Sequence, residues 1–182
     1  VGVFKINKMV NYNSILDLVN VAESENEPVT LSEAKDFCKI DIGTDDDLLI
    51  ALITTARQMC EAYTGVGFVW HDLDIIVNNT NGGIYLPYGP LLEIYSVTDN
   101  NGEVLILDTN YTISGGAWVR LESPKENNII VSYSTGYDDD QLPSALKTGL
   151  LNAIYYLYDN RAQGVDNIGP IAKLILNPYK RV

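Results

Sequence analysis

The chain is expected to be an α+β protein, with a small helical core of about three main helices and an antiparallel β-rich insertion between the second and third. Two observations predict this. Apolar residues recur at three-to-four spacing over residues 44–65 and again over 143–161, whereas between Phe68 and Tyr133 the period falls to two and Asn-Gly pairs punctuate the run. A chain of 182 residues with 46% hydrophobic content can bury a core of that kind in one domain. The expected division is an arm and linker over 1–27 and a domain over 28–182. Its helical core would comprise 28–66 and 136–182 and its insertion 67–135.

The lead-in is weakly patterned, with a short helix expected from Ile15 to Val21 and a polar run Glu23-Ser24-Glu25-Asn26-Glu27 before Pro28. Thr30 followed by Glu33 makes a capping box, so a short helix should start there and end near Ile40 to Gly43. The next helix takes Thr44 or Asp45 as its N-cap, with acidic residues in the first turn facing the positive end of the dipole. Leu48, Leu49, Leu52, Ile53, Ala56, Met59, Cys60 and Tyr63 give it one apolar face, and Gly65 closes it.

Strands are expected around Leu73, Ile75 and Val77, at Ile84-Tyr85-Leu86, at Glu93 to Val97 and at Ile129 to Tyr133. Asn81-Gly82 and Asn101-Gly102 supply the positive φ of type I′ hairpins, which predicts a meander with Tyr111 and Trp118 on its inner face. Pro143 suits a first helical turn, and Leu146, Leu150, Ala153, Ile154 and Leu157 give a helix ending near Arg161. Gly164 and Gly169-Pro170 then precede a short apolar segment, Ile171 to Leu176, and a basic tail.

The formal charge of −12 opposes the electrostatic footprint of proteins that grip nucleic acid. Duplex passing nearby would be repelled within about 8 Å, the Debye length at physiological salt. No apolar run reaches the roughly 18 residues of a membrane span, and residues 1–13 lack the pattern of a signal peptide, so a soluble protein is expected. Cys38 and Cys60 fall on apolar helix faces and read as free, buried thiols.

No catalytic, cofactor or metal site emerges. His71, the single histidine, should turn to solvent on the strand face opposite Trp70. With Asp72 and Asp74 it makes no metal set, because adjacent strand residues diverge and no second histidine exists. Asp45-Asp46-Asp47 and Asp138-Asp139-Asp140 precede helices, where capping and dipole complementarity explain them. The calcium-loop pattern fails in both, since the position requiring a bidentate glutamate holds Leu52 or Gly149. Nucleophile elbow, phosphate loop and dinucleotide fingerprint are all missing, and the twelve tyrosines are spread over helices and strands.

Several motifs stand in a telling order: Pro28-Val29-Thr30-Leu31-Ser32-Glu33-Ala34-Lys35, Asp46-Asp47-Leu48-Leu49, Glu61-Ala62-Tyr63-Thr64-Gly65 and Leu86-Pro87-Tyr88-Gly89-Pro90-Leu91. Tyr133-Ser134-Thr135-Gly136-Tyr137, Leu142-Pro143, Tyr158-Asp159-Asn160-Arg161 and Leu174 to Arg181 follow. Together they resemble the head-tail connector (head-completion, or adaptor) proteins of tailed bacteriophages, in a longer branch with a β insertion. That resemblance implies a non-enzymatic virion protein of the neck, made in the bacterial cytoplasm, with no cofactor and no membrane partner. It implies a ring of about twelve copies below the portal that extends the DNA channel without tight DNA binding and joins the capsid to the tail or stopper protein. Pro178, Tyr179, Lys180 and Arg181 are the expected contact with the portal or a neighbouring subunit, and truncation after Leu176 is expected to abolish assembly on the portal while leaving the fold intact. Two other readings fit the residues: a β-rich module binding glycans or proteins as a monomer, and a metal-dependent phosphodiesterase relying on Asp138 or Asp139.

Overall fold

The structure, a computed structural model, describes residues 15–78, 83–116, 118–123, 128–138, 141–163 and 167–181. The expected Asn81-Gly82 turn, the start of the lead-in, Asp139, Asp140 and Gly164 lie outside these residues. The class is α+β: among the described residues are four α-helices and two antiparallel sheets.

Helix α1 (Leu31–Cys38) opens on the capping box, the Glu33 amide donating to Thr30 Oγ1 at 3.2 Å and Glu33 Oε2 accepting from the Thr30 amide at 2.9 Å. Lys147, at 2.7 Å, and the Thr30 amide hold the Glu33 carboxyl below its ordinary value. Lys39 adopts a left-handed φ of 59° and stops the helix sooner than expected. Helix α2 (Asp46–Thr64) buries Leu49, Ile53, Ala56 and Cys60 and closes at Gly65 with φ 73°. Leu52, Met59 and Tyr63 pack at the margin of that face, but Leu48 is 37% exposed and falls off it.

Helix α3 (Ser144–Asp159) buries Leu146, Leu150, Ala153, Ile154 and Leu157, and Pro143 is its cap residue instead of a first-turn member. Helix α4 (Pro170–Leu176) adds Ala172 and Leu176 to the same core. It lies close against α3 because Gly149 has no side chain: a Cβ there would stand 2.5 Å from Leu176 Cδ2.

The strands are β1 (Ile15–Glu23), β2 (His71–Val77), β3 (Ile84–Tyr85), β4 (Leu91–Asp99), β5 (Thr112–Ser114), β6 (Arg120–Glu122) and β7 (Ile129–Thr135). They form no simple meander. A four-stranded sheet has the order β1-β2-β7-β4 and a smaller one the order β3-β6-β5. Leu73, Ile75, Val77, Val131 and Tyr133 build the apolar side of the larger sheet, joined by Tyr111. At Asn101-Gly102 the expected type I′ turn gives way to a longer one. Gly102 alone there has positive φ, 79°, and its amide donates to the Asp99 carbonyl at 2.9 Å, the signature of a type I turn completed by a left-handed glycine.

The helix expected at Ile15 to Val21 is instead edge strand β1, paired antiparallel with β2. The pairing slips between Ile15 and Asp17 and again between Asn20 and Ala22, so the residues opposite the buried Val77, Ile75, Leu73 and His71 are Ile15, Leu18, Asn20 and Glu23, with two steps of three that break the alternation expected of a strand. Each slip adds a residue and resets the two-residue alternation, and the β-branched Ile15, Val19 and Val21 suit a strand.

Helical core and sheet meet at a backbone crossing. The Gly136 amide donates to the Pro90 carbonyl at 2.8 Å, the Gly67 amide approaches the Tyr88 and Gly89 carbonyls at 3.1 and 3.2 Å, and the Tyr133 hydroxyl donates to the Pro87 carbonyl at 3.2 Å. Thr135 Oγ1 lies 2.7 and 2.8 Å from the Tyr88 and Pro90 carbonyl oxygens. The Leu86–Leu91 and Tyr133–Tyr137 motifs are thus one hydrogen-bonded unit, with a cis Gly89-Pro90 bond inside it.

Candidate functional site

The most concentrated polar chemistry is buried. Arg57 and Glu61, one turn apart on α2, point into the protein at 1% and 2% exposure, with Arg57 Nη1 3.1 Å from Glu61 Oε2. Arg57 Nε donates to Glu27 Oε2 at 2.8 Å and Nη2 lies 3.4 Å from Glu23 Oε1, while Thr54 Oγ1 donates to Glu27 Oε1 at 2.8 Å. Glu61 Oε1 accepts the Phe68 amide at 2.8 Å. Burial works against the guanidinium charge, but Glu61, then Glu27 and Glu23, outweigh it and hold Arg57 more firmly protonated than usual.

His71 completes the cluster, which overturns its expected solvent exposure. It is 3% exposed, with Nε2 3.1 Å from Glu61 Oε1 and Nδ1 3.4 Å from Glu23 Oε2. Strand β2 begins at His71, so alternation places His71 on the same buried face as Leu73, Ile75 and Val77, whereas Trp70, from which the solvent-facing phase is taken, lies outside the strand. Here β2 is an interior strand and its first residue is capped by α2 and the end of β1. The carboxylates around Arg57 are all occupied by ion pairs or amides, so the cluster ties β1, the linker, α2 and β2 together. In the sequence Arg57 and Glu61 are hidden by the apolar face that contains them, and only their spacing of four residues marks them.

Among the described residues no three His, Cys, Asp or Glu side chains are grouped to hold a metal ion. Asp72 accepts from the Tyr95 hydroxyl at 2.8 Å. The Asp45 side chain makes no capping bond; Asp45 Oδ2 accepts from the Tyr158 hydroxyl at 2.6 Å, and Arg161 stacks on the Tyr158 ring at 4.4 Å. Asp46 pairs with Lys35 at 2.6 Å, and Asp138 is exposed.

Both cysteines are free thiols, Cys60 buried and Cys38 half-buried. Burial pushes both thiols up, Cys60 further, helped by the Glu61 charge. Iodoacetamide at pH 8 should therefore modify Cys38 slowly and Cys60 hardly at all in the native protein, and both within minutes in denaturant; mass spectrometry over time reads this. Rapid native labelling of Cys60 would contradict its placement.

The basic tail lies on its own body. The Arg181 amide donates to the Thr64 carbonyl at 2.8 Å, its guanidinium sits 3.1 Å from the Trp118 ring centre, and the Lys180 ammonium lies 4.8 Å from the Tyr63 ring. Trp118, expected inside the sheet, packs instead against the helical core beneath Arg181. Pro178 and Tyr179 are the exposed part of the tail. Arg181→Ala should lower stability by about 1–2 kcal/mol through the lost stacking contact, measured by urea unfolding. Truncation after Leu176 removes these contacts together and should cost at least as much, against the expectation that it leaves the fold intact.

The surface offers two further features. Large apolar side chains stand exposed on the edge strands, at Leu16, Val21, Leu92 and Tyr95, and on the helices at Tyr155, Ile171 and Leu174, the last 77% exposed. A cleft of about 620 Å³ also opens between the linker, the start of α1, α2 and the segment after β7.

Residues 28–98 match the family model described as phage gp6-like head-tail connector protein, so the resemblance carried by the motifs holds over that stretch. No curated protein matches the chain. The fold is similar to that of a chain in the neck of an empty GTA particle computed with C6 symmetry, at 15% identity and a TM-score of 0.72, covering 92% of this chain and 96% of that one. A chain in the virion of a native gene transfer agent particle gives a TM-score of 0.73 at 15% identity, covering 91% and 95%. One in the neck of a native GTA particle computed with C12 symmetry gives 0.72 at 14%, covering 92% and 96%.

Proposed function

We infer that this chain, whose residues 28–98 match the family model described as phage gp6-like head-tail connector protein, is a structural subunit of the neck of a tailed phage or phage-like particle. About twelve copies form a ring below the portal, extend the DNA channel and join the capsid to the tail or stopper protein. The observation that carries this reading is the agreement between the family match and a fold shared along 92% of the chain with a neck subunit.

The physics is compatible. A closing ring needs two unlike faces on each copy, and apolar residues are exposed both on the sheet edges and on the helices. A net charge of −12 lets DNA slide past without being held. In this role the tail Pro178 to Arg181 contacts the portal or a neighbour through Pro178 and Tyr179, while Lys180 and Arg181 anchor the segment to the body. The work is assembly, and no step of it calls for catalysis. Mixing the purified protein with the portal protein of the same phage or prophage, followed by electron microscopy, should give a second ring stacked on the portal with a continuous axial channel. A protein that stays monomeric at high concentration and ignores the portal would overturn this reading.

A further inference from the structure

We propose that the cleft beside the linker receives residues 1–14 of a neighbouring copy; this rests on the ring reading, since it needs neighbours. The cleft volume of about 620 Å³ lies within the range of sites that enclose a ligand or peptide segment. Its floor includes Val29, Ile53 and Phe68, and its rim carries Glu25 and Asp138, both exposed. Two other acidic residues at the cleft are already matched, Glu27 by Arg57 and Glu33 by Lys147. An occupant should therefore be apolar and carry positive charge opposite Glu25 and Asp138.

One segment of this chain has that composition. Residues 1–16 hold Lys5 and Lys8 and no acidic residue, in a protein with 24 Asp and Glu, and they intersperse Val3, Phe4, Ile6, Met9 and Val10 with the two lysines. The other basic segment is engaged elsewhere, with Lys180 on Tyr63 and Arg181 on Trp118.

Strand direction bears on which copy supplies the central residues of the segment. Strand β1 starts at Ile15 opposite Val77 and ends at Glu23 opposite His71, beside the cleft. Ile15 thus stands at the end of the sheet remote from the cleft of its own copy, about 25 Å away at roughly 3.3 Å per strand residue. Val10, five residues before Ile15, reaches at most about 17 Å back even when fully extended. The central residues of the segment, Val10 among them, can fill a cleft on another copy more readily than their own. Copies linked this way pass an arm in one direction around a ring, which is a heterologous contact that closes.

The test uses the full chain with a photo-crosslinking amino acid in place of Phe4, mixing light and isotopically heavy copies at ring-forming concentration. Mass spectrometry should find light-to-heavy crosslinks at the cleft, to Leu31, Ile50 or Tyr137, in a sample that electron microscopy shows as rings. Rings whose crosslinks fall outside the cleft, or only within one copy, would overturn the proposal and leave the ring reading standing. A sample with neither rings nor crosslinks between copies would overturn both. As an independent arm, the Lys5→Glu, Lys8→Glu variant should self-associate about tenfold more weakly by sedimentation, and adding Glu25→Lys and Asp138→Lys should restore association. No recovery on reciprocal reversal would count against the pairing.

Discussion

Replacing Arg57 by methionine is expected to destabilise the protein by about 3–5 kcal/mol, because the buried Glu61 and the glutamates facing it lose their counterion and hydrogen-bond donor. For a chain of this length that lowers the melting temperature by roughly 10 °C. Arg57→Lys should recover only part of the loss, since an ammonium is a point donor and cannot span Glu23, Glu27 and Glu61 as the guanidinium fork does. Glu61→Gln added to the methionine variant should also recover part of it: the amide oxygen can still accept from Phe68, and the uncompensated charge is gone. Thermal and urea unfolding of the three variants check the series. A loss below about 1 kcal/mol for the methionine variant would mean that the cluster does not lock β1 and the linker to the helices.

Gly136→Ala should cost on the order of 3 kcal/mol or more, from two sources that act together. The residue adopts a φ of 99°, and an added Cβ would stand 2.0 Å from the Val69 carbonyl oxygen. Gly67→Ala, at the same crossing but without positive φ, would place its Cβ 2.9 Å from Gly136 Cα and should cost less. Urea unfolding that ranks Gly67→Ala above Gly136→Ala would contradict this description of the crossing. The crossing joins the helical core to the sheet, so loosening it should also disturb any surface built from both.

Much of the helical half was legible. The Thr30-x-x-Glu33 box, the apolar face of α2 with its closing Gly65 and the apolar face of α3 are local patterns, and each corresponds to an element near the expected bounds. Period-two segments around Leu73, Ile129 and Ile94 are strands as expected. Strand β1 is not legible in the sequence because two bulges break its two-residue alternation, and the strand order is no meander because pairing is chosen by partners distant in sequence. The ion cluster was missed for a related reason: a charged pair inside an apolar helical face is visible as composition, but its burial depends on Glu23, Glu27 and His71 arriving from other elements.

The motifs behave in the same way. Their order pointed to the connector family, while the reason each residue is needed becomes apparent only where two motifs meet. Leu86–Leu91 is bonded by Tyr133–Tyr137, Asp45 accepts from Tyr158, and Thr64 accepts from Arg181. By itself, then, the sequence determined the elements, because helix caps, apolar periods and turn residues act within a few positions of one another. Tertiary structure decided which polar groups are buried and which strand is an edge, and it held the tail against the body. Those outcomes depend on desolvation and hydrogen bonding between segments dozens of residues apart, and no local pattern records which segments will meet.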